Sequence, residues 1–142
     1  TSADEPMFGY MGKQHIKVTV RVHKCGSCIA GDFGDNYCFG LEQLPAKDLL
    51  FITGGEKDVM SLAAHGFHAI CFNSETAFIP VTVIHRLSFR FKHIILLYDV
   101  DSTGLKSSAK REEELKEYGF KRLLLPLAGT KTEKDVSDYF ML

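Results

Sequence analysis

No stretch of this sequence approaches the roughly 20 apolar residues that a membrane-spanning helix needs, and no secretory signal pattern marks its start. An excess of charge of one sign is missing too: 17 Lys and Arg face 18 Asp and Glu, a formal net charge of −1. That balance excludes a basic footprint over the whole chain, so contact with nucleic acid would need a local patch or a bound metal. Cysteine is scarce. Of the four, Cys71 sits in the apolar run "HAICF", as a buried thiol would, leaving Cys25, Cys28 and Cys38, an odd number for any disulfide scheme. Such usage reads as a reducing, cytoplasmic compartment. Internal repeats and low-complexity tracts are lacking as well.

What is present is an ordinary globular inventory, 45% hydrophobic and 25% charged over 142 residues. That suffices for one domain that folds without disulfides or a structural metal. The small, acidic opening "TSADEP" and the stop at "DYFML", on an apparent helix end, suggest a piece of a longer protein.

The chain has two textures. Residues 1–47 are rich in glycine, and "HIKVTVRVH" puts Ile16, Val18, Val20 and Val22 on one face, the period of a half-buried strand. This part reads as a small β-rich N-terminal extension. From Leu49 the rhythm becomes strand, turn, helix. "LLFIT", "HAICF", "HIILLYD" and "KRLLLP" are short continuous apolar runs, as strands buried on both faces should be. Between them, "EKDVMSLAAHG" predicts a helix burying Val59, Leu62 and Ala63 and stopped by Gly66. "IPVTVIHRLSFRF" predicts another from the spacing of Val83, Ile84, Leu87 and Phe91. "STGLKSSAKREEELKEYG" predicts a third with Leu105, Ala109 and Leu115 inward and a Glu112–Lys116 pair outside. "EKDVSDYFML" predicts a short closing helix. Alternating strands and helices imply a parallel four-stranded sheet flanked by helices, over residues 48–142, with ligands beyond the carboxyl ends of its strands. "ITGGEKD", "FNSET" and "LYDVDSTG" lie at that edge.

The acids at this edge are the candidates for chemistry. Asp99 and Asp101 are separated by one residue, so extended backbone projects both to one side, where they repel unless a cation lies between them or water surrounds them. Mg²⁺ suits such a pair, because it prefers oxygen ligands and needs only one or two protein carboxylates. Glu56 and Asp58 come from the loop after the first strand. Asp and Ser at a strand end are equally ordinary helix caps and turn formers.

"LLFITGGEKDVMSLAAHGFHAICFN", "HIILLYDVDSTGLKSSA" and "EKDVSDYF" together resemble the Toprim domain, most closely its primase and primase-helicase branch. The resemblance runs from about Leu49 to the C-terminus. It implies a Rossmann-like fold and a Mg²⁺ (or Mn²⁺) ion held by Glu56, Asp99 and Asp101, with Asp58 as a further catalytic acid. The family pattern after the first strand is Glu-Gly-x-x-Asp. Setting Asp58 on its Asp places Gly55 on its Gly and Gly54 on its Glu, so Glu56 is the substitute candidate. Lys57 and Lys106 are candidates for neutralising phosphates. Asp135 and Asp138 resemble late acids that face the same cleft, and serve equally as helix N-terminal acids.

The implied activity is DNA primase-type nucleotidyl transfer, making RNA primers on single-stranded DNA from nucleoside triphosphates during replication. A helicase domain in the parent protein is a further implied partner, and the isolated fragment is expected to be weak or inactive. The alternatives are a Toprim-type metal-dependent nuclease and a catalytically degenerate nucleic-acid-binding module. Zinc modules accompany primases, and His23, Cys25, Cys28 and Cys38 are ligand types; the lack of a second pair argues against zinc at Cys25 and Cys28. Phe33, Tyr37 and Phe39 read as core of the small N-terminal sheet before they read as a stacking surface.

Overall fold

The computed structural model describes residues 7–11, 16–22, 26–30, 38–40, 47–72 and 74–141, with side chains at 38–40, 48–72 and 74–141. His23, Cys25, Phe33 and Tyr37, and the side chain of Cys28, lie outside the described residues.

β1 (Met7–Met11), β2 (Ile16–Val22) and β3 (Gly26–Ala30) form an antiparallel sheet in that order. The alternating segment noted above is β2. A second, five-stranded sheet carries the rest: β4 (Cys38–Phe39), β5 (Lys47–Thr53), β6 (Ala69–Phe72), β7 (Phe91–Leu97) and β8 (Phe120–Arg122), in the order β4-β6-β5-β7-β8. The four expected parallel strands are all present, and the two-residue β4 adds an antiparallel edge beside β6. Gly40, at φ +92°, turns the chain directly after β4.

Among the described residues, four α-helices cover this sheet: α1 (Glu56–Ala64), α2 (Val81–Arg90), α3 (Ser102–Leu115) and α4 (Val136–Met141). α2 forms although its first four residues are β-branched or threonine. Pro80 is pre-set at φ −60° as its N-cap, its carbonyl accepts from the amides of Val83 and Ile84, and Ile84 and Leu87 are buried beneath it. Burial outweighs propensity here.

Strand alternation divides the core. Leu50, Ile52, Ile70, Phe72, Ile94 and Leu96 face one side and meet Ile84, Leu87 and Leu115 from α2 and α3. Ala69, Cys71 and Leu97 face the other and meet Val59, Leu62 and Val136 from α1 and α4. No helix among the described residues is long and apolar enough to cross a membrane.

Two details of α3 differ from the sequence expectation. Its buried face is Gly104, Ser108 and Leu115, whereas Leu105 and Ala109 are exposed. The reason is close approach: a Cβ on Gly104 would lie 2.0 Å from the Asp99 carbonyl oxygen, so small residues must face inward. Glu112 does not pair with Lys116. It accepts from the Arg122 amide at 2.8 Å and lies 3.6 Å from that guanidinium, while Lys116 pairs with Glu113. In α1, Ala63 is likewise exposed.

Candidate metal centre

β5 lies between β6 and β7, and the helices that follow β5 and β7 pack on opposite faces of the sheet. A crevice therefore opens between the carboxyl ends of these two strands, where Thr53 stands beside Leu97. Three chain segments meet at this edge.

The first leaves β5. The Thr53 hydroxyl donates to the Gly55 carbonyl at 3.0 Å, closing the turn, and α1 begins at once with Glu56, Lys57 and Asp58. Asp58 is buried and its Oδ1 accepts from both the amide (3.2 Å) and the hydroxyl (3.1 Å) of Ser137. The second segment leaves β7. Asp101 is the N-cap of α3, its Oδ1 accepting from the Gly104 amide at 2.9 Å. The third is a tight return around Gly129, at φ +80°, whose amide donates to the Glu133 carbonyl. The Val100 amide donates to the Lys134 carbonyl at 2.8 Å, fastening this return to the Asp-x-Asp loop.

That contact explains how two acids separated by one residue are tolerated. The Lys134 ammonium stands 3.2 Å from Asp99 and 3.2 Å from Asp101. Next to it, Asp135 and Asp138 make a reciprocal cap for α4: the Asp138 amide donates to Asp135 Oδ1 at 2.9 Å, and Asp138 Oδ2 accepts from the amides of Asp135 and Lys134. Asp135 also faces the crevice. One carboxylate oxygen from each of Asp58, Asp99 and Asp135 lies within 4.8 Å of the others.

Of the acids expected from the sequence, Asp58 and Asp99 therefore come together, joined by Asp135. Asp101 is linked to Asp99 through Lys134 but lies outside that three-carboxylate group, as does the buried Glu56. Lys57 and Lys106 are exposed on α1 and α3. Sequence reasoning did not single out Lys134 or Glu75. Glu75, in the loop after β6, accepts from the Asp99 amide through Oε1 at 2.8 Å. The only signal for it was an acid in a loop at the carboxyl edge. For Lys134 there was none, since its partners lie more than thirty residues away.

Electrostatics follow from this crowding. Burial, with the charges of Asp135 and Asp99 added, pushes the Asp58 carboxyl up to about 7, against its two bonds from Ser137. Burial raises Asp99 to about 6 in spite of Lys134. It raises Glu75 to about 7, with Asp99 and Asp101 adding to it. Asp101 is held below the ordinary range, first by the Gly104 amide and then by Lys134. Lys134 is raised despite its burial, by Asp101 and Asp99.

The donor set fits a hard divalent cation. All three converging donors are carboxylates, the ligand type Mg²⁺ and Mn²⁺ take. Buried like charges are costly without a counter-charge, and among the described residues Asp58 has the two bonds from Ser137. A pH dependence follows. Asp58 and Asp99 start from 3.8 unfolded and reach about 7 and about 6 folded. Between about pH 4 and 7 the folded state thus holds protons that the unfolded chain has released, so stability falls as pH rises through that window. In chelator, Tm is expected to be higher at pH 5 than at pH 8. Mg²⁺ or Mn²⁺ added at pH 8 should recover much of the difference. Melts that are level across this range, with no response to the ion, would contradict the electrostatic account.

A family model described as Toprim-like matches residues 51–140. No curated protein matches the chain. Among solved structures, the fold is similar to the primase fragment of the bacteriophage T7 primase-helicase protein (18% identity, TM-score 0.63, covering 88% of this chain and 51% of that one). It is similar to the Aquifex aeolicus primase, solved with its zinc-binding and RNA polymerase domains (17%, 0.68, 95% and 36%). The E. coli primase catalytic core is comparable (18%, 0.65, 96% and 48%). At these identities the likeness is one of fold, and the chain spans only about a third to a half of each structure.

Proposed function

The chain belongs to the Toprim-like family, and from that premise we propose that it is the Toprim portion of a cytoplasmic DNA primase-like protein. Residues 48–142 would form the Toprim domain and 1–47 a β-rich extension. Its reaction would be metal-dependent transfer of nucleotides from triphosphates to a growing RNA primer on single-stranded DNA. A helicase domain in the parent protein is the partner proposed with it.

The observation that carries this reading is the convergence of Asp58, Asp99 and Asp135, from three separate segments, at the crevice between β5 and β7. Mg²⁺ or Mn²⁺, when bound, would neutralise triphosphate charge and favour in-line displacement of pyrophosphate by a 3′-hydroxyl. The chain's own part is to place and protect the ligands. Asp58, Asp99 and Asp135 would hold the ion. Ser137 aims Asp58, and Lys134 keeps Asp99 and Asp101 from repelling each other. Asp101 starts α3 and so fixes the direction in which Asp99 leaves the strand. Lys57 and Lys106, on the helices that follow β5 and β7, would meet phosphates from either side. Glu56, in the first turn of α1, is the base candidate on the segment that follows β5.

The test is primer synthesis by the full-length parent on a single-stranded template with ribonucleoside triphosphates. Synthesis should vanish in chelator and return with Mg²⁺ or Mn²⁺. Synthesis indifferent to chelator would defeat the proposal. Shortening of a labelled strand, in place of extension, would move the same acids to a nuclease.

A further inference from the structure

Gly54 stands where the family pattern has its acid, and the space beside it is not empty. A Cβ built on Gly54 would lie 2.5 Å from Glu75 Oε1, 2.8 Å from its Cγ and 3.0 Å from its Cδ. The volume a side chain at position 54 would enter is filled by the carboxylate end of Glu75. That side chain comes from the neighbouring strand, through the loop after β6, which is hydrogen-bonded to β5. Its Oε1 is anchored on the Asp99 amide at 2.8 Å, which ties it to the Asp-x-Asp loop. Its loop is held in turn by Arg111 of α3, whose guanidinium donates to the carbonyls of Thr76 and Ala77.

We infer that Glu75 is the displaced acid of this site: it supplies, from the end of β6, the carboxylate that Gly54 lacks at the end of β5. The inference rests on the metal-dependent reading above and deepens it. Like Glu56, Glu75 lies outside the Asp58, Asp99 and Asp135 group, but it takes the volume beside Gly54 and contacts the Asp99 backbone, so it replaces Glu56 as the substitute. Any larger residue at position 54 would have to push the flexible end of Glu75 off the Asp99 amide, so glycine at 54 is what lets Glu75 keep that bond. Acid at 54 and acid at 75 compete for one volume as alternative solutions to the same requirement.

A merely structural Glu75 would serve only as an acceptor for the Asp99 amide, and glutamine can do that. The deciding experiment therefore titrates Mn²⁺ by calorimetry into this chain and into Glu75→Gln, Asp99→Asn and the exchange variant Gly54→Glu/Glu75→Gly, each checked by thermal melt. Glu75→Gln should stay folded yet bind Mn²⁺ at least about tenfold more weakly, and the exchange variant should bind within about threefold of the parent. Gly54→Glu alone should melt lower, from two side chains in one volume. If Asp99→Asn loses the ion while Glu75→Gln binds as the parent does, the inference about Glu75 fails and the metal site stands. If the unchanged chain takes no Mn²⁺, both fall. Should Glu75→Gln not fold, the exchange variant decides: recovered binding supports the displaced acid, and absent binding overturns it.

Discussion

Changing Asp99 to Asn is expected to lower the proposed primer synthesis at least about 100-fold while leaving the fold intact. Asparagine has nearly the same shape, keeps an oxygen for Lys134 and leaves the backbone amide on Glu75 undisturbed. What it removes is charge. Folding already disfavours that charge, since burial lifts the Asp99 carboxyl to about 6 from 3.8. Above pH 6 the native protein therefore carries an anion that the unfolded chain would hold more cheaply. A neutral Asn is free of that penalty, so the variant should melt no lower than its parent at pH 8 in chelator, and somewhat higher is the expected direction. Lost synthesis with retained stability is the signature of a residue kept for its ligand. Unchanged synthesis would remove Asp99 from the chemistry, and a large drop in Tm would make it a structural acid.

The second large effect belongs to Gly104. Alanine in the first turn of a helix ordinarily gains up to about 1 kcal/mol over glycine. Here its Cβ would sit 2.0 Å from the Asp99 carbonyl oxygen and 2.7 Å from the carbonyl carbon. Both are backbone atoms, so no side-chain rotation relieves the overlap. Overpacking of this kind costs about 3 kcal/mol, and the clash wins by roughly 2 kcal/mol, or about 6 °C in Tm for a chain of this size. The displaced atoms belong to the residue proposed to hold the ion, so Mn²⁺ affinity should fall together with stability. Gly55→Ala is the control. Nothing lies within 4 Å of a Cβ there, and the change should cost under about 1 kcal/mol as a weaker N-cap. Equal melting of the two variants would refute the close-approach argument.

The architecture was readable because its strands are short continuous apolar runs and its helices change the period. α2 was readable even against its β-branched residues, since Pro80 and the spacing of Ile84 and Leu87 outvoted local propensity. The inner face of α3 was misread. Leu105 looked like a core residue, but contact between helix and loop backbone selected Gly104 and Ser108 instead, and no periodicity encodes that approach. At the site, Asp58 and Asp99 followed from loop position after parallel strands. Lys134 did not, because its two ion pairs depend on where the Gly129 return settles against Val100. Glu75 was hidden for a related reason. Its meaning lies in the space beside Gly54, and a sequence shows which side chain is missing without showing what fills the gap.

The return that carries Lys134 and Asp135 also sets an order of events. Among the described residues, Asp58 finds its hydrogen-bond donors in Ser137, and the Asp99–Asp101 pair finds its cation in Lys134. A ribosome releasing this chain would expose all four parallel strands before either compensation existed. Until the last stretch emerges, those carboxylates lack their folded partners, and the nascent sheet is held by hydrophobic burial.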